Sequence, residues 1–138
     1  MMNDLLTGRR RVWRKEMKKK EFEFQNTEMY QQMIDYVSNV YKITKKFPRS
    51  EIYGLTSQIR RAGVSIVLNF AEGWGRYNKK EKAQFYKIAR ASILECVAAV
   101  DTALRQNYIE IANYQKMLTE SNEISKKLNA LIKKMEEK

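Results

Sequence analysis

Apolar and polar side chains between Glu51 and Arg76 follow two separate stripes with a helical repeat. The apolar stripe recurs at the i, i+3, i+4 and i+7 spacing of a helix that packs against a core. The pattern therefore predicts a helix from Glu51 to Glu72, with Ser50 as its N-terminal cap and Gly73 as its stop. The predicted core face of this helix consists of Ile52, Leu55, Ile59, Ala62, Gly63, Ile66 and Phe70.

The same periodicity predicts three further helices. They run from about Thr27 to Lys46, from Asn78 to Gln106 and from Ile111 to Met135, and each of the first two begins at a residue suited to capping. The third helix in the chain has an apolar face that includes Ile88. Short connections between long helices make chain neighbours antiparallel. The sequence therefore predicts an all-α fold, an antiparallel up-down-up-down four-helix bundle over residues 23–138.

The polar stripe of the second helix is ordered, because its members recur every seven residues with two others between them. A heptad drifts by only about 20° around a helix, so these side chains share one edge. Amides, hydroxyls and charges beside small residues suit a hydrogen-bonded network between packed helices or subunits. We predict such a structural network, in which Glu95 on the third helix pairs with Arg61. The members of the predicted network are Glu51, Gln58, Arg61, Ser65, Asn69, Glu72, Ser92 and Glu95.

Two other interpretations of the polar stripe stay open. Arg60, Arg61 and Arg76 could form an edge that contacts nucleic acid. The stripe could also be catalytic, although no nucleophile–base pair accompanies it. If the pair between Glu95 and Arg61 is buried, the Glu95→Ala substitution should cost about 3 kcal/mol of folding free energy.

A longer string of residues forms a recognisable combination of Phe47, Pro48, Glu51, Leu55, Gln58, Arg60, Arg61, Ala62, Ser65, Asn69, Ala71, Glu72, Gly73, Gly75, Arg76, Phe85, Ile88, Ala89, Ser92 and Glu95. This string resembles a bacterial family of four-helix bundles, and the resemblance covers about residues 27–135. The founding members are encoded by intervening sequences inserted in 23S ribosomal RNA genes, and the accessory variability determinant of diversity-generating retroelements is similar to them. The resemblance implies a ring-like homopentamer with a basic surface suited to RNA or DNA, and in the retroelement branch a reverse transcriptase as partner.

The net charge of the 138-residue chain is +11, from 27 basic and 16 acidic side chains. Residues 1–22 form a basic arm, since eight basic and only two acidic side chains lie within the first 20 residues. Blocks of like charge usually stay disordered and act as interaction arms. The arm is a solvated segment, a nucleic-acid contact or, if translation starts at Met17 or later, an artefact of the gene boundaries. Its candidate nucleic-acid-binding residues are Arg9, Arg10, Arg11, Arg14, Lys18, Lys19 and Lys20.

The connection between the second and third predicted helices interleaves aromatic and cationic side chains. Such a corner could stack on bases and contact phosphates. Alternatively, Trp74 and Tyr77 plug the end of the bundle while the lysines keep it soluble. The candidate nucleic-acid-binding residues within the bundle are Arg60, Trp74, Arg76, Tyr77, Lys79 and Lys80.

The chain has no histidine and a single cysteine, Cys96. These counts exclude histidine bases and the usual zinc sites, so we predict no catalytic residue, no metal and no cofactor. The glycine-rich motifs that hold nucleotide phosphates are also absent from the sequence. No apolar run approaches the roughly 20 residues of a membrane span and no signal peptide is recognisable, so we expect a cytoplasmic protein without a membrane partner.

Together, these features predict a non-enzymatic, pentameric accessory protein that binds RNA or DNA. A sharper form of the hypothesis makes the protein the partner of a reverse transcriptase in a diversity-generating retroelement. The alternative is a structural or protein-interaction scaffold of the same family, whose charge serves only solubility.

Overall fold

The computed structural model describes residues 21–137. It contains four long helices, which are α1 (Glu28–Thr44), α2 (Leu55–Trp74), α3 (Lys79–Arg105) and α4 (Ile111–Glu136). Each helix packs against its neighbour in the chain, and α1 also contacts α4, which closes the bundle. Two short 3-10 turns precede α1 and α2, and no strand occurs within residues 21–137. The prediction of an all-α four-helix bundle is confirmed.

The core consists of residues that recur every three or four positions on each helix, as a buried helical stripe requires. Because each helix is apolar on only one side, the four stripes meet on the bundle axis and leave the remaining side chains in solvent. The largest fully buried side chains are Tyr36, Tyr86, Phe70, Met33, Ile59, Ile66, Ile93, Met117, Ile124, Leu128, Val40 and Val100.

Two of the predicted helix caps form as expected. Thr27 Oγ1 accepts a hydrogen bond of 3.2 Å from the backbone N–H of Tyr30, at the start of α1. Asn78 Oδ1 accepts bonds of 2.7 Å from Lys80 N–H and 3.4 Å from Glu81 N–H, at the start of α3. Each cap satisfies backbone donors that have no partner inside the helix, and so defines where the helix begins.

The predicted start of α2 is wrong. The helix begins at Leu55, and Ser50 lies in the 3-10 turn Arg49–Glu51 without capping anything. The carboxylate of Glu51 takes the capping role instead, because its Oε1 accepts 3.1 Å from the N–H of Leu55. Its second oxygen accepts 3.1 Å from the hydroxyl of Tyr108. This contact spans 57 residues of sequence, and it holds Glu51 outside the helix.

The C-terminal end of α2 also differs from the prediction. The helix continues through Gly73 to Trp74, and Gly75 is its C-terminal cap. Gly73 is buried against α3, where a β-carbon would come within 2.7 Å of the ring of Tyr86. A close approach of two helices therefore explains this glycine better than a helix stop does.

Two residues assigned to the core face lie largely in solvent. Ile52 is 48% exposed because it precedes α2, and Ile88 is 47% exposed on α3. On α3 the buried stripe follows Ala89, Ser92, Ile93 and Cys96, which directs Ile88 away from the bundle axis. An apolar residue beside the buried stripe is thus left exposed within a single chain.

Candidate nucleic-acid interface

Trp74 and Tyr77 both lie at the corner between α2 and α3, but their side chains have different environments. Trp74 is half-buried, and the centroid of its ring lies 6.0 Å from that of Phe70 in the core. Tyr77 is fully exposed, at 102% of its reference surface. The interpretation that both rings plug the bundle end therefore applies to Trp74 alone.

Some cations of this corner form hydrogen bonds or ion pairs with other described residues, and others do not. Arg76 pairs with Glu72 one helical turn earlier, and its guanidinium lies 4.7 Å from the ring centroid of Phe85. Lys82 donates 2.7 Å to the backbone carbonyl of Trp74, which satisfies an acceptor at the end of α2. The ammonium groups of Lys79 and Lys80 are exposed, and neither has a hydrogen bond or ion pair with the residues that the structure describes.

Arg60 lies apart from this corner. It lies fourteen residues before Trp74, the last residue of α2, or about 21 Å along the helix axis. Its Nε donates 2.9 Å to Thr44 Oγ1, and its guanidinium stacks 4.8 Å from the ring centroid of Tyr41. These contacts join α2 to α1, so Arg60 has a structural role in addition to its positive charge.

The remaining candidate cations belong to the basic arm, and they lie outside the described residues. The sequence analysis also missed Lys133 and Lys134, which are exposed in the last turn of α4. The 3.5 Å ion pair between Lys87 and Glu136 joins α3 to the end of α4. Because this end lies beside the first half of α3, the two lysines extend the positive charge of the α2–α3 corner.

The predicted polar network separates into three unconnected groups. In the first group, Ser65 Oγ and Ser92 Oγ are hydrogen-bonded at 2.8 Å and join α2 to α3. Asn69 Nδ2 donates 2.9 Å to the same Ser65 hydroxyl and 2.8 Å to its carbonyl. The second group is Glu51 with Tyr108, and the third is Glu72 with Arg76. Among the described residues, the members of the predicted network therefore form one interhelical serine pair and separate local contacts.

The expected ion pair between Arg61 and Glu95 does not form within the chain. Both side chains are exposed, as is Gln58, and none of the three has a hydrogen bond or ion pair with a residue in the described range. On α3 the neighbouring Cys96 is the residue that points into the core. One residue of helix turns a side chain by about 100°, so Glu95 points outward.

Exposed apolar side chains accompany these unpaired polar groups. We define the outer α2–α3 face as Gln58, Arg61, Leu68, Ile88 and Glu95. Leu68 is 62% exposed, which is high for leucine in a packed bundle, and Ile88 is 47% exposed. Leu94 is also 62% exposed, but it lies on the side of α3 that faces α4, as does Lys87, and so outside this face. A groove of about 550 Å³ runs along the outer side of α2 and includes Arg61 and Leu68.

No arrangement within residues 21–137 resembles a catalytic or metal centre. The structure has no group of three or more Cys, Asp or Glu side chains there that could hold a metal ion. Burial raises the pKa of the Cys96 thiol to about 12, so it stays protonated and is a poor nucleophile. The hydrogen bond that Tyr108 donates to Glu51 raises the pKa of its hydroxyl, which keeps the phenol protonated and makes it a weaker acid.

A membrane-spanning role has no support in the helices that the structure describes. None of them combines the length and the apolar composition needed to cross a bilayer.

Comparison with known proteins places this geometry among related bundles. The profile of the family described as 23S rRNA-intervening sequence protein matches residues 25–130. A crystal structure from Bacteroides thetaiotaomicron, of a protein with unknown function from the S23 ribosomal protein family, has a similar fold with a TM-score of 0.69 and 22% sequence identity. The similarity covers 76% of this chain and 98% of that chain. No curated protein matches the sequence. Neither the family description nor the solved structure names an enzymatic activity.

Proposed function

Because the chain belongs to the family of 23S rRNA-intervening sequence proteins, we propose that it is a non-enzymatic, pentameric accessory protein that binds RNA or DNA through its basic surface. The single observation that carries this proposal is the α2–α3 corner, where the fully exposed ring of Tyr77 stands beside the ammonium groups of Lys79 and Lys80, which have no partner among residues 21–137.

The chemistry of the corner matches single-stranded nucleic acid. An exposed aromatic ring stacks on a base with a gain of about 1–3 kcal/mol, and the adjacent lysines meet phosphates. Asn78 caps α3 between them, so the backbone that carries these side chains is held in place. A protein that used its lysines only for solubility would have no need of an exposed tyrosine among them.

Self-association is supported by the outer α2–α3 face. Arg61 and Glu95 have opposite charges and no partner in the described chain, and Leu68 and Ile88 are exposed on the same face. A second copy that covered this face would bury these two apolar side chains and could pair the charges between subunits. A ring of five copies would multiply weak phosphate contacts by avidity.

The finer role divides into two forms. In the sharper form, the protein is the partner of a reverse transcriptase in a diversity-generating retroelement, which the basic arm favours. The alternative is a protein-interaction scaffold without a nucleic-acid role, which the exposed leucines favour. The neighbouring genes separate the two, because a reverse transcriptase with template and variable repeats beside this gene would select the first form.

The binding proposal is tested by an electrophoretic shift assay across salt concentrations. The Tyr77→Ala and Lys79→Gln/Lys80→Gln variants should each weaken binding of single-stranded RNA or DNA at least fivefold. The paired lysine change should also lower the dependence of log Kd on log salt by about 1 to 2, because each lost phosphate contact removes about 0.7. Lys126→Gln, which changes an exposed lysine in the middle of α4, is the matched control.

Two results would contradict the binding proposal. Wild-type protein that failed to shift any oligonucleotide at low salt would exclude nucleic-acid binding. If Lys126→Gln and the corner variants lost equal amounts of affinity, binding would depend on the overall charge of the protein and not on a site at the corner.

Self-association is tested by light scattering coupled to size-exclusion chromatography. Leu68→Lys should convert the oligomer into a folded monomer, because it places a charge in a face that a second copy would bury. A wild-type protein that eluted as a monomer at high concentration, or an oligomer unchanged by Leu68→Lys, would overturn this part of the proposal.

A further inference from the structure

A second group of cations lies at the other end of the bundle from the α2–α3 corner. Lys42, Lys45, Lys46 and Arg49 fall within eight residues that include no acidic side chain, where α1 ends and the chain turns towards α2. All four are exposed. This group of cations is visible in the sequence, although the basic arm at residues 1–22 carries a higher density of positive charge.

A cleft of about 460 Å³ opens beside this group, between the end of α1 and the start of α4. Lys42, near the end of α1, and Lys46, two residues after that helix, line one side of it, and Lys116 lines it from α4. None of the three ammonium groups has a hydrogen bond or ion pair with a residue that the structure describes. Lys45, in contrast, belongs to the same segment but does not line the cleft.

The other polar groups of the cleft leave its charge positive. Glu110 is the one carboxylate in the lining, against three lysines. Asn39, Asn107 and Asn113 supply amides, and Asn39 directs its Nδ2 towards both carboxylate oxygens of Glu120 at 3.1 and 3.0 Å. The side chain of Glu110 does not cap α4, so the first N–H groups of that helix add their partial positive charge to that of the lysines.

We infer that this cleft holds a backbone phosphate of the bound nucleic acid between Lys42, Lys46 and Lys116. The inference rests on the proposed function and adds a second contact zone to it. The helix α2 has 20 residues, so the cleft lies about 30 Å along the bundle from the α2–α3 corner. A strand that occupies both zones therefore lies along the bundle instead of across its end.

The experiment compares two triple variants of the full-length protein in the same shift assay. Lys42→Gln/Lys46→Gln/Lys116→Gln removes the charges that line the cleft. Lys45→Gln/Arg105→Gln/Lys126→Gln removes three exposed charges that neither line it nor belong to the α2–α3 corner. All six positions are exposed, so both variants should melt within about 2 °C of the wild type, and circular dichroism checks this.

The cleft variant should bind a 20-nucleotide single strand at least tenfold more weakly than the control variant at 0.1 M salt. Its salt slope should also fall by about 1 to 2 relative to the control, as expected for the loss of two or three contacts. Titration of the wild type with inorganic phosphate should shift the backbone amide signals of residues 111–113, and the cleft variant should lose these shifts.

The outcomes separate this inference from the proposed function. If wild type binds the strand and the two triple variants weaken it equally, the cleft inference is overturned while nucleic-acid binding stands. If wild type binds no strand, the proposed function fails and this inference fails with it. Phosphate shifts that persist in the cleft variant would also overturn the assignment of the lysines.

Discussion

The seam between α2 and α3 and the seam between α1 and α4 are built from different side chains. Across the first, small residues let the helices approach closely, as where Gly73 lies against the ring of Tyr86. Across the second, longer polar side chains bridge the gap, as where Asn39 donates to Glu120 and Lys127 donates 2.6 Å to Gln32. The cleft of the further inference opens at the end of the second seam.

This difference shows where each seam obtains its stability. Close packing excludes water and cannot be loosened without losing many contacts at once. Polar bridges at partly exposed positions contribute little, commonly 0–1 kcal/mol each. The buried hydrogen bond between Tyr36 and Ser121, at 2.7 Å, is the exception on the α1–α4 seam. We therefore expect α1 and α4 to separate more readily than α2 and α3.

The largest expected effect comes from adding a methyl group to the close seam. Gly73→Ala should lower the free energy of unfolding by about 1–3 kcal/mol, because the new β-carbon would meet the ring of Tyr86. Urea denaturation measures the loss. Gly63→Ala is the matched control on the same helix, since its β-carbon would meet Val40 at 3.7 Å in ordinary contact.

The control should gain up to about 1 kcal/mol, because alanine favours the helix over glycine. Equal effects of the two glycine substitutions would contradict the contrast between close and loose packing.

The buried hydrogen bond tests the exception on the α1–α4 seam. Tyr36→Phe should cost about 1 kcal/mol, because a buried hydroxyl partner is lost while the ring stays packed. Ser121 retains the 2.7 Å bond that it donates to the carbonyl of Met117, which limits the loss. In a double-mutant cycle with Ser121→Ala, the coupling energy should exceed about 0.5 kcal/mol. Additive effects would mean that the two hydroxyls do not interact.

Alkaline pH should destabilise the fold through the buried acids beside this bond. Burial raises the pKa of Cys96 from 9.0 to about 12, and it also raises that of Tyr36. The folded state thus favours the protonated thiol, and its stability is complete below pH 9 and declines as the pH rises towards 12. The thiol alone should account for about 1 kcal/mol at pH 10.

Thermal melts between pH 7 and 11 measure this effect. Cys96→Ala should melt with a shallower dependence on pH than the wild type. Identical pH profiles for the two proteins would show that the thiol does not contribute.

The smallest effect is expected on the outer α2–α3 face. Glu95→Ala and Arg61→Ala should each change the stability of the monomeric fold by less than about 0.5 kcal/mol, because both side chains are exposed and have no partner among residues 21–137. Melts of the dissociated Leu68→Lys background measure the fold alone. A loss of stability near 3 kcal/mol in that background would instead support the buried ion pair that the sequence predicted.

Much of the bundle could be predicted from local chemistry. The caps Thr27 and Asn78 act on backbone groups within three residues, so sequence spacing was enough to find them. The true start of α2 could not be predicted, because Glu51 is held by Tyr108 from a distant part of the chain. The same limit applies to the candidate site, where the sequence could not tell the exposed Tyr77 from the packed Trp74.

The sequence by itself determined the number of helices, their polarity pattern and the sign of the charge, because hydrophobic periodicity and ionisation are properties of single residues and their near neighbours. Only the tertiary structure decided which edge of each helix is covered. Glu95 and Cys96 are adjacent in the chain, yet one lies in solvent and the other in the core, because helix rotation and the positions of three neighbouring helices set the exposure of each. The same packing brings Lys42 and Lys116, far apart in sequence, to one cleft.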